Sequence, residues 1–266
     1  MAKTSYWLKK YEIKLKKRFG QNFLAEDTIA KRIVEEANIK KDDFIIEIGT
    51  GAGTLSEEII SKTNSLVSFE IDKTLKDLLE DRFSDEEKIE IVFEDFLSVD
   101  ISKYDDKKPI YIANIPYNIS SPILEKIFLE TPNFQRAYLM VQKEFGERIL
   151  GMDKKDFSPL TVFSQYFCDV KSVLEIPKGA FIPNPKIDSL VIEFKPHKKY
   201  DLDSKDFMRF VKTCFSMRRK TIKNNLKRLT KDPDSVLSEL NINPKNRPED
   251  LTVENYVELY KKTRES

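Results

Sequence analysis

Phe44-Ile45-Ile46-Glu47-Ile48-Gly49-Thr50-Gly51-Ala52-Gly53-Thr54 reads as a strand running into a glycine turn and then a helix. Five mostly apolar residues suit a strand buried on both faces. Working outward, Glu26 to Asn38 is apolar at Ile29, Ile33, Val34 and Ala37, a helical period that Asp27 could cap. Ser65 to Ile71 is a second strand, Lys73 to Phe83 a second helix and Ile89 to Phe93 a third strand. Ile110 to Ala113 is a fourth strand, Pro122 suits the first turn of the helix after it, and Arg136 to Gln142 is a fifth strand. Strand alternating with helix predicts an α/β protein, with a parallel sheet and helices on both faces.

The alternation ends after about residue 152. Pro159 to Cys168 is helical, Val170 to Ile176 and Ser189 to Phe194 are strands, and the Pro- and Gly-containing loop between them predicts an antiparallel edge to the sheet. Lys195 to Ser204 reads as a linker, and from Lys205 onward the period is helical throughout. Two domains are therefore expected, 1–200 and a small all-helical 201–266.

The glycine turn lacks both the Gly-x-Gly-x-x-Gly spacing of dinucleotide sites and the Gly-Lys-Ser/Thr of a P-loop. Glu70 ends the second strand at the position where a carboxylate accepts from ribose hydroxyls, and Asp95 follows the third, where it could accept from an adenine amino group. An adenosine-bearing cofactor is expected. The acidic surroundings favour a sulfonium over a pyrophosphate, so S-adenosylmethionine is the better candidate.

Asn114-Ile115-Pro116-Tyr117 follows the fourth strand. An aromatic amine such as adenine N6 is a poor nucleophile because its lone pair is delocalised into the ring. Two acceptors that bind both amino hydrogens localise that pair and aim it. The Asn114 side-chain oxygen is one, and the Ile115 carbonyl, directed by Pro116, is the other. Tyr117 can stack on the base. A sulfonium methyl is already a good electrophile, so position and alignment carry the catalysis.

The 266 residues carry a net charge of only +1, unevenly spread. Residues 1–20 hold seven basic side chains against one acidic, residues 205–231 ten against one, and residues 69–106 five against fourteen. Basic ends around an acidic middle suit a polyanion such as RNA; solvated helix faces are the alternative. Arg218, Arg219, Lys220 and Lys223 can share one helical face, and Lys17 and Arg18 extend a basic N-terminal arm. No apolar run reaches the ~18 residues of a membrane span. Cys168 and Cys214 fit neither a metal site nor a disulfide framework, which suggests the cytoplasm, and the single histidine, His197, argues against a Ser-His-Asp hydrolase.

Asn114-Ile115-Pro116-Tyr117 resembles the Asn-x-Pro-Tyr motif of adenine-N6 methyltransferases. Gln21-Asn22-Phe23-Leu24 resembles the segment that precedes the first helix in the rRNA adenine dimethyltransferase family. The likeness continues through Glu47 to Gly53, Glu70-Ile71-Asp72, Glu94-Asp95, Val141-Gln142-Lys143-Glu144, Phe181 to Ser189 and Phe215 to Lys220. Arg218 to Leu226, with Arg247-x-Glu249-x-Leu251, is similar to the C-terminal domain of the small-subunit branch rather than the large-subunit, antibiotic-resistance branch.

The resemblance implies a Rossmann-like class I methyltransferase sheet. It implies dimethylation of two adjacent adenines in the 3′-terminal hairpin loop of 16S rRNA, and a role in small-subunit biogenesis on the 30S particle, by a monomer. It implies cofactor contacts from Gln21, Asn22, Leu24, Gly49, Gly51, Glu70, Ile71, Asp95, Phe96 and Asn114, and a base sandwiched between Tyr117 and Phe181. A ribosome-assembly factor acting without catalysis, or a large-subunit rRNA methyltransferase, would share much of the pattern. Ser158 stands where the family frequently has Gly, Thr50 where it often has Pro or Ala, and Ile115 where it often has Leu.

Overall fold

The computed structural model describes residues 3–16, 21–116, 119–152, 157–217 and 219–265. The described elements run α1 (Lys3–Lys10), β1 (Phe23–Leu24), α2 (Asp27–Ala37), β2 (Phe44–Ile48), α3 (Thr54–Ile60), β3 (Ser65–Phe69), α4 (Lys76–Arg82), β4 (Ile89–Val92), β5 (Ile110–Asn114), α5 (Ser120–Glu130), β6 (Arg136–Gln142) and α6 (Lys143–Leu150). There follow α7 (Pro159–Phe167), β7 (Cys168–Ile176), β8 (Phe181–Ile182), β9 (Ser189–Pro196), α8 (Ser204–Cys214), α9 (Ile222–Leu226), α10 (Pro233–Glu239) and α11 (Val253–Glu265).

Seven of the described strands form one sheet in the order β4-β3-β2-β5-β6-β9-β7. The first five are mutually parallel, and β9 joins β6 antiparallel. The strand order reverses between β2 and β5. Every residue of β2 is buried, as are Ile110 to Ala113 of β5, because helices cover both faces there. Each fully buried Ile or Phe contributes about 1.5–3 kcal/mol.

A second, two-stranded sheet was not legible in the sequence. β1 pairs antiparallel with β8, Phe23 opposite Ile182 and Leu24 opposite Phe181. Two residues are too few to show a period, so only tertiary pairing reveals the ribbon. Asp27 is the first residue of α2 rather than its cap; Glu26 takes the cap position without a side-chain bond.

Contacts divide the chain into two compact units, one of 1–146 and 171–196, the other of 147–170 and 197–266. A single boundary near residue 200 therefore needs correcting, because 147–170 folds with the C-terminal helices. The reason is the apolar face of α7. Leu160, Val162, Phe163 and Tyr166 are buried, α7 packs on α8 and α11, and the Tyr166 and Phe207 ring centroids lie 4.4 Å apart. Ser158, the family's frequent glycine, caps α7 by accepting from the Thr161 N–H.

Within the basic N-terminus, Lys3–Lys10 forms helix α1. Thr4 and Leu8 are buried; the Thr4 hydroxyl donates to the Leu24 carbonyl. Lys3 pairs with Glu57 (2.7 Å), Lys10 with Asp81 (2.5 Å) and Lys16 with Asp72 (2.6 Å). Part of the charge asymmetry is thus satisfied within the fold.

Candidate active site

The glycine turn after β2 is held down by the neighbouring strand. The Gly49 and Thr50 N–H groups both donate to the Phe69 carbonyl, at 2.8 and 3.2 Å. Gly51 has φ +58°, and a Cβ there would lie 2.9 Å from the Phe23 ring. A side chain is excluded on both counts. Phe23 therefore rests directly on the turn, and the β1–β8 ribbon brings Gln21 and Asn22 to its rim.

A cleft of roughly 730 Å³, counting its open mouth, lies at the C-terminal ends of β2, β3 and β5, where the strand order reverses. That is where open α/β sheets bind ligands. Gln21, Asn22, Gly49, Gly51, Glu70, Ile71, Asp95, Phe96, Asn114, Ile115 and Pro116 all line it. The sequence reading did not single out Phe23, Ile48, Phe69, Glu94 and Ile119 as contacts, yet they complete the wall. Their signal was adjacency to a site residue.

Glu70 accepts from the Gly51 N–H at 2.8 Å on one oxygen and from the Asp72 N–H at 2.7 Å on the other. Burial pushes its carboxyl up to about 7, against the opposing pull of those backbone bonds. Asp95 accepts from the Leu97 N–H at 2.9 Å. Ile71 is 42% exposed at the cleft, an apolar surface for a ring, and Phe96 meets Phe69 edge to face.

Behind the turn, Glu47 is fully enclosed. One of its oxygens accepts from Ser56 and Ser68, both at 2.6 Å, while Oε1 has no hydrogen-bond partner among the described residues. Burial raises this carboxyl to about 8 despite the serine bonds.

The Asn114 side-chain amide donates from Nδ2 to the Asn22 carbonyl at 2.9 Å. Using the N–H₂ end in this way leaves Oδ1 as the acceptor the side chain offers to the cleft. The Ile115 N–H donates to the Met140 carbonyl at 3.1 Å, tying the motif to β6.

Two expected contacts are not at the cleft. Leu24 is 5% exposed and does not line it. Phe181 is 0% exposed, packed in the apolar cluster with Leu24 opposite it in the ribbon. Its ring is therefore covered by its neighbours in this structure. Tyr117, its expected counterpart, lies outside the described residues, as do Lys17, Arg18 and Arg218.

Residues 12–265 match the family described as ribosomal RNA adenine dimethylase. The chain is 43% identical over 263 residues to ribosomal RNA small subunit methyltransferase A of Thermotoga maritima, covering 98% of this chain and 90% of that one. It is 36% identical to the protein of that name from Clostridium acetobutylicum, covering 96% of each. The chain belongs to the ribosomal RNA adenine dimethylase family.

Among solved structures, a dimethyladenosine transferase from Plasmodium falciparum matches with a TM-score of 0.78 and 26% identity, covering 91% of this chain and 98% of that one. The 23S rRNA methyltransferase ErmE shares the fold, with a TM-score of 0.70 and 24% identity, covering 91% of this chain and all of that one. The architecture is accordingly the Rossmann-like class I methyltransferase fold, and the chain is an S-adenosylmethionine-dependent rRNA adenine dimethyltransferase.

The cleft fits that cofactor on its own terms. Glu70, Glu94 and Asp95 line it with carboxyl groups, which suits a cationic sulfonium. A carboxylate has about four acceptor positions, so Glu70, which accepts from the Asp72, Gly51 and Ile71 N–H groups, keeps acceptor capacity for a ribose hydroxyl. Among the described residues no group of three or more His, Cys, Asp or Glu is placed to hold a metal ion.

Among the described residues, the expected RNA-contacting cations Arg219, Lys220 and Lys223 do not share one helix. α8 ends at Cys214, and Arg219 and Lys220 fall in the turn before α9, both exposed. Lys223 sits on α9 and pairs with Asp234 at 2.8 Å. Asn225 enforces the break. Fully buried, it accepts from the Met217 N–H at 3.0 Å and donates to the Thr221 carbonyl at 3.2 Å. No helix among the described residues is long and apolar enough to cross a membrane.

Proposed function

We propose that the chain dimethylates N6 of two adjacent adenines in the 3′-terminal hairpin loop of 16S rRNA, with the small ribosomal subunit as substrate particle. The observation that carries this reading is the Asn114 amide, held by the Asn22 carbonyl at the rim of an acidic cleft. The relatives' shared name, a small-subunit rRNA methyltransferase, supports the choice of rRNA. The buried, unpaired cysteines suit a cytoplasmic enzyme, and a monomer presents the cleft complete.

Glu70 takes the ribose hydroxyls, Asp95 the adenine amino group, and Ile71 and Phe96 flank the adenine ring of the cofactor. Gln21, Asn22, Gly49 and Gly51 close over the rest of it. S-adenosylmethionine supplies the electrophilic methyl carbon. Asn114 Oδ1 and the Ile115 carbonyl accept the two amino hydrogens of the target base and so turn the nitrogen lone pair toward that carbon. Pro116 fixes the direction of the Ile115 carbonyl. The family motif assigns stacking on the base to Tyr117. As the N–C bond forms, the methyl C–S bond would break and the neutral thioether S-adenosylhomocysteine would leave; the nitrogen, now positively charged and acidic, loses its proton to water without a dedicated base.

The base must leave its stack, which costs a few kcal/mol and less in a hairpin loop. Arg219 and Lys220, with Lys223 and the family positions Lys17, Arg18 and Arg218, are the proposed phosphate contacts, and the unit of 147–170 and 197–266 is the proposed RNA-binding domain.

The deciding experiment is Asn114→Ala with unmethylated small subunits and labelled methyl donor. The amide is a partly exposed rim group, so the variant should fold and, at saturating cofactor, methyl transfer should fall at least a hundredfold, the scale of losing one charge-orienting contact. Full transfer by that variant removes the reading; label recovered in large-subunit rRNA redirects it.

A further inference from the structure

Asp72 has no place in the reaction just described. It does not line the cleft, and its side chain is 1% exposed. Yet its carboxylate is a meeting point. Lys16 Nζ donates to Oδ1 at 2.6 Å, and Gln21 Nε2 to Oδ2 at 2.7 Å. The Thr74 N–H and hydroxyl also donate to Oδ1, at 3.1 and 2.7 Å. Capping the helical turn at Thr74 needs only Oδ1. Oδ2 is committed to Gln21, 51 residues upstream. Burial alone would push the Asp72 carboxyl up; the bonds from Lys16, Thr74 and Gln21 outweigh it and hold the group below its ordinary value.

The same residue also faces the cleft through its backbone. The Asp72 N–H donates to Glu70 Oε1 at 2.7 Å, so it orients the carboxylate read above as the ribose acceptor. On the other side, the Lys16 N–H donates to Gln21 Oε1 at 2.8 Å, and Gln21 is itself a wall residue of the cleft. A continuous chain of bonds therefore runs Lys16–Gln21–Asp72–Glu70.

We propose that Asp72 is a positioning residue that couples the N-terminal segment to the cofactor site, with Lys16 and Gln21 clamped on its carboxylate and Glu70 oriented by its main chain. The inference rests on the cofactor reading of Glu70. Its distinctive consequence is that Lys16, which lies outside the cleft, contributes to cofactor affinity. That contribution passes through Asp72 rather than through direct contact.

The test is calorimetric titration of the full-length protein with S-adenosylmethionine, together with methyl-transfer rates at saturating cofactor. Lys16→Met should weaken the cofactor Kd by about fivefold or more, the lower end of common coupling strengths, and leave kcat within about twofold. Lys16→Arg should bind like the wild type. Asp72→Asn keeps the capping oxygen and loses the ion pair, and adding Lys16→Met to it should cost nothing further, because interacting residues are non-additive. Lys16 is partly exposed, so its variants fold even if Asp72→Asn does not. An unchanged Kd in Lys16→Met, while Glu70→Ala loses cofactor, overturns the coupling alone. Wild-type affinity in Glu70→Ala overturns the cofactor reading and the coupling with it.

Discussion

Raising the pH from 6 to 8 should tighten S-adenosylmethionine binding about tenfold, and Glu70 is the reason. Its carboxyl is pushed up to about 7, lifted by burial and only partly held down by the backbone N–H groups of Asp72, Gly51 and Ile71. Ribose hydroxyls are donors, so they select the ionised acceptor. The ionised fraction rises from about a tenth at pH 6 to about nine tenths at pH 8. Apparent affinity scales with that competent fraction, which gives the factor of about ten. The sign is fixed by direction: a raised carboxyl is protonated at low pH, so binding releases a proton and weakens as pH falls. Titration calorimetry at pH 6, 7 and 8 in two buffers of different ionisation enthalpy reads both the affinity and the proton. Glu70→Gln, which accepts hydroxyls at any pH, should bind more weakly at pH 8 and show no slope. A flat wild-type profile, or an equal slope in Glu70→Gln, would refute the assignment of Glu70 to the hydroxyls.

Gly51→Ala should abolish measurable cofactor binding, since it combines φ +58° with a Cβ 2.9 Å from Phe23; equilibrium dialysis with labelled cofactor checks this. Glu47, at about 8 in the fold against 4.5 as its ordinary value, keeps a proton the unfolded chain has lost, so stability falls as pH rises between those values and levels off above 8. At about 1.4 kcal/mol per pH unit the ceiling is roughly 5 kcal/mol. Glu47→Gln should flatten the fall in Tm between pH 5.5 and 8.5 measured without cofactor. Asn225→Ala strands the Met217 N–H and should cost about 1–3 kcal/mol in denaturant melts. By loosening the turn that carries Arg219 and Lys220 it should also weaken binding to small-subunit rRNA in a filter assay, and unchanged affinity would separate that turn from RNA contact.

The sequence by itself determined the parallel sheet, the glycine turn and most of the cleft. Each of these is written in short-range pattern: a five-residue apolar strand before Gly49, an acid at the end of the next strand, an Asn-x-Pro-Tyr at the end of another. The cleft residues gather because parallel strands all deliver their C-terminal ends to one edge, so adjacency in motif becomes adjacency in space. Only tertiary structure decided what depends on distant partners. The β1–β8 ribbon is two residues long and exists because residues 23–24 meet 181–182. Leu24 lies opposite Phe181 in that pairing, and Phe181 is fully buried, which the motif alone does not show. Lys3, Lys10 and Lys16 look like an RNA grip until Glu57, Asp81 and Asp72 are found beside them. Residues 147–170 look like part of the sheet domain until α7 buries its apolar face on α8 and α11. Charge and burial are properties of neighbourhoods, and a neighbourhood formed across fifty or more residues leaves no period in the chain that makes it.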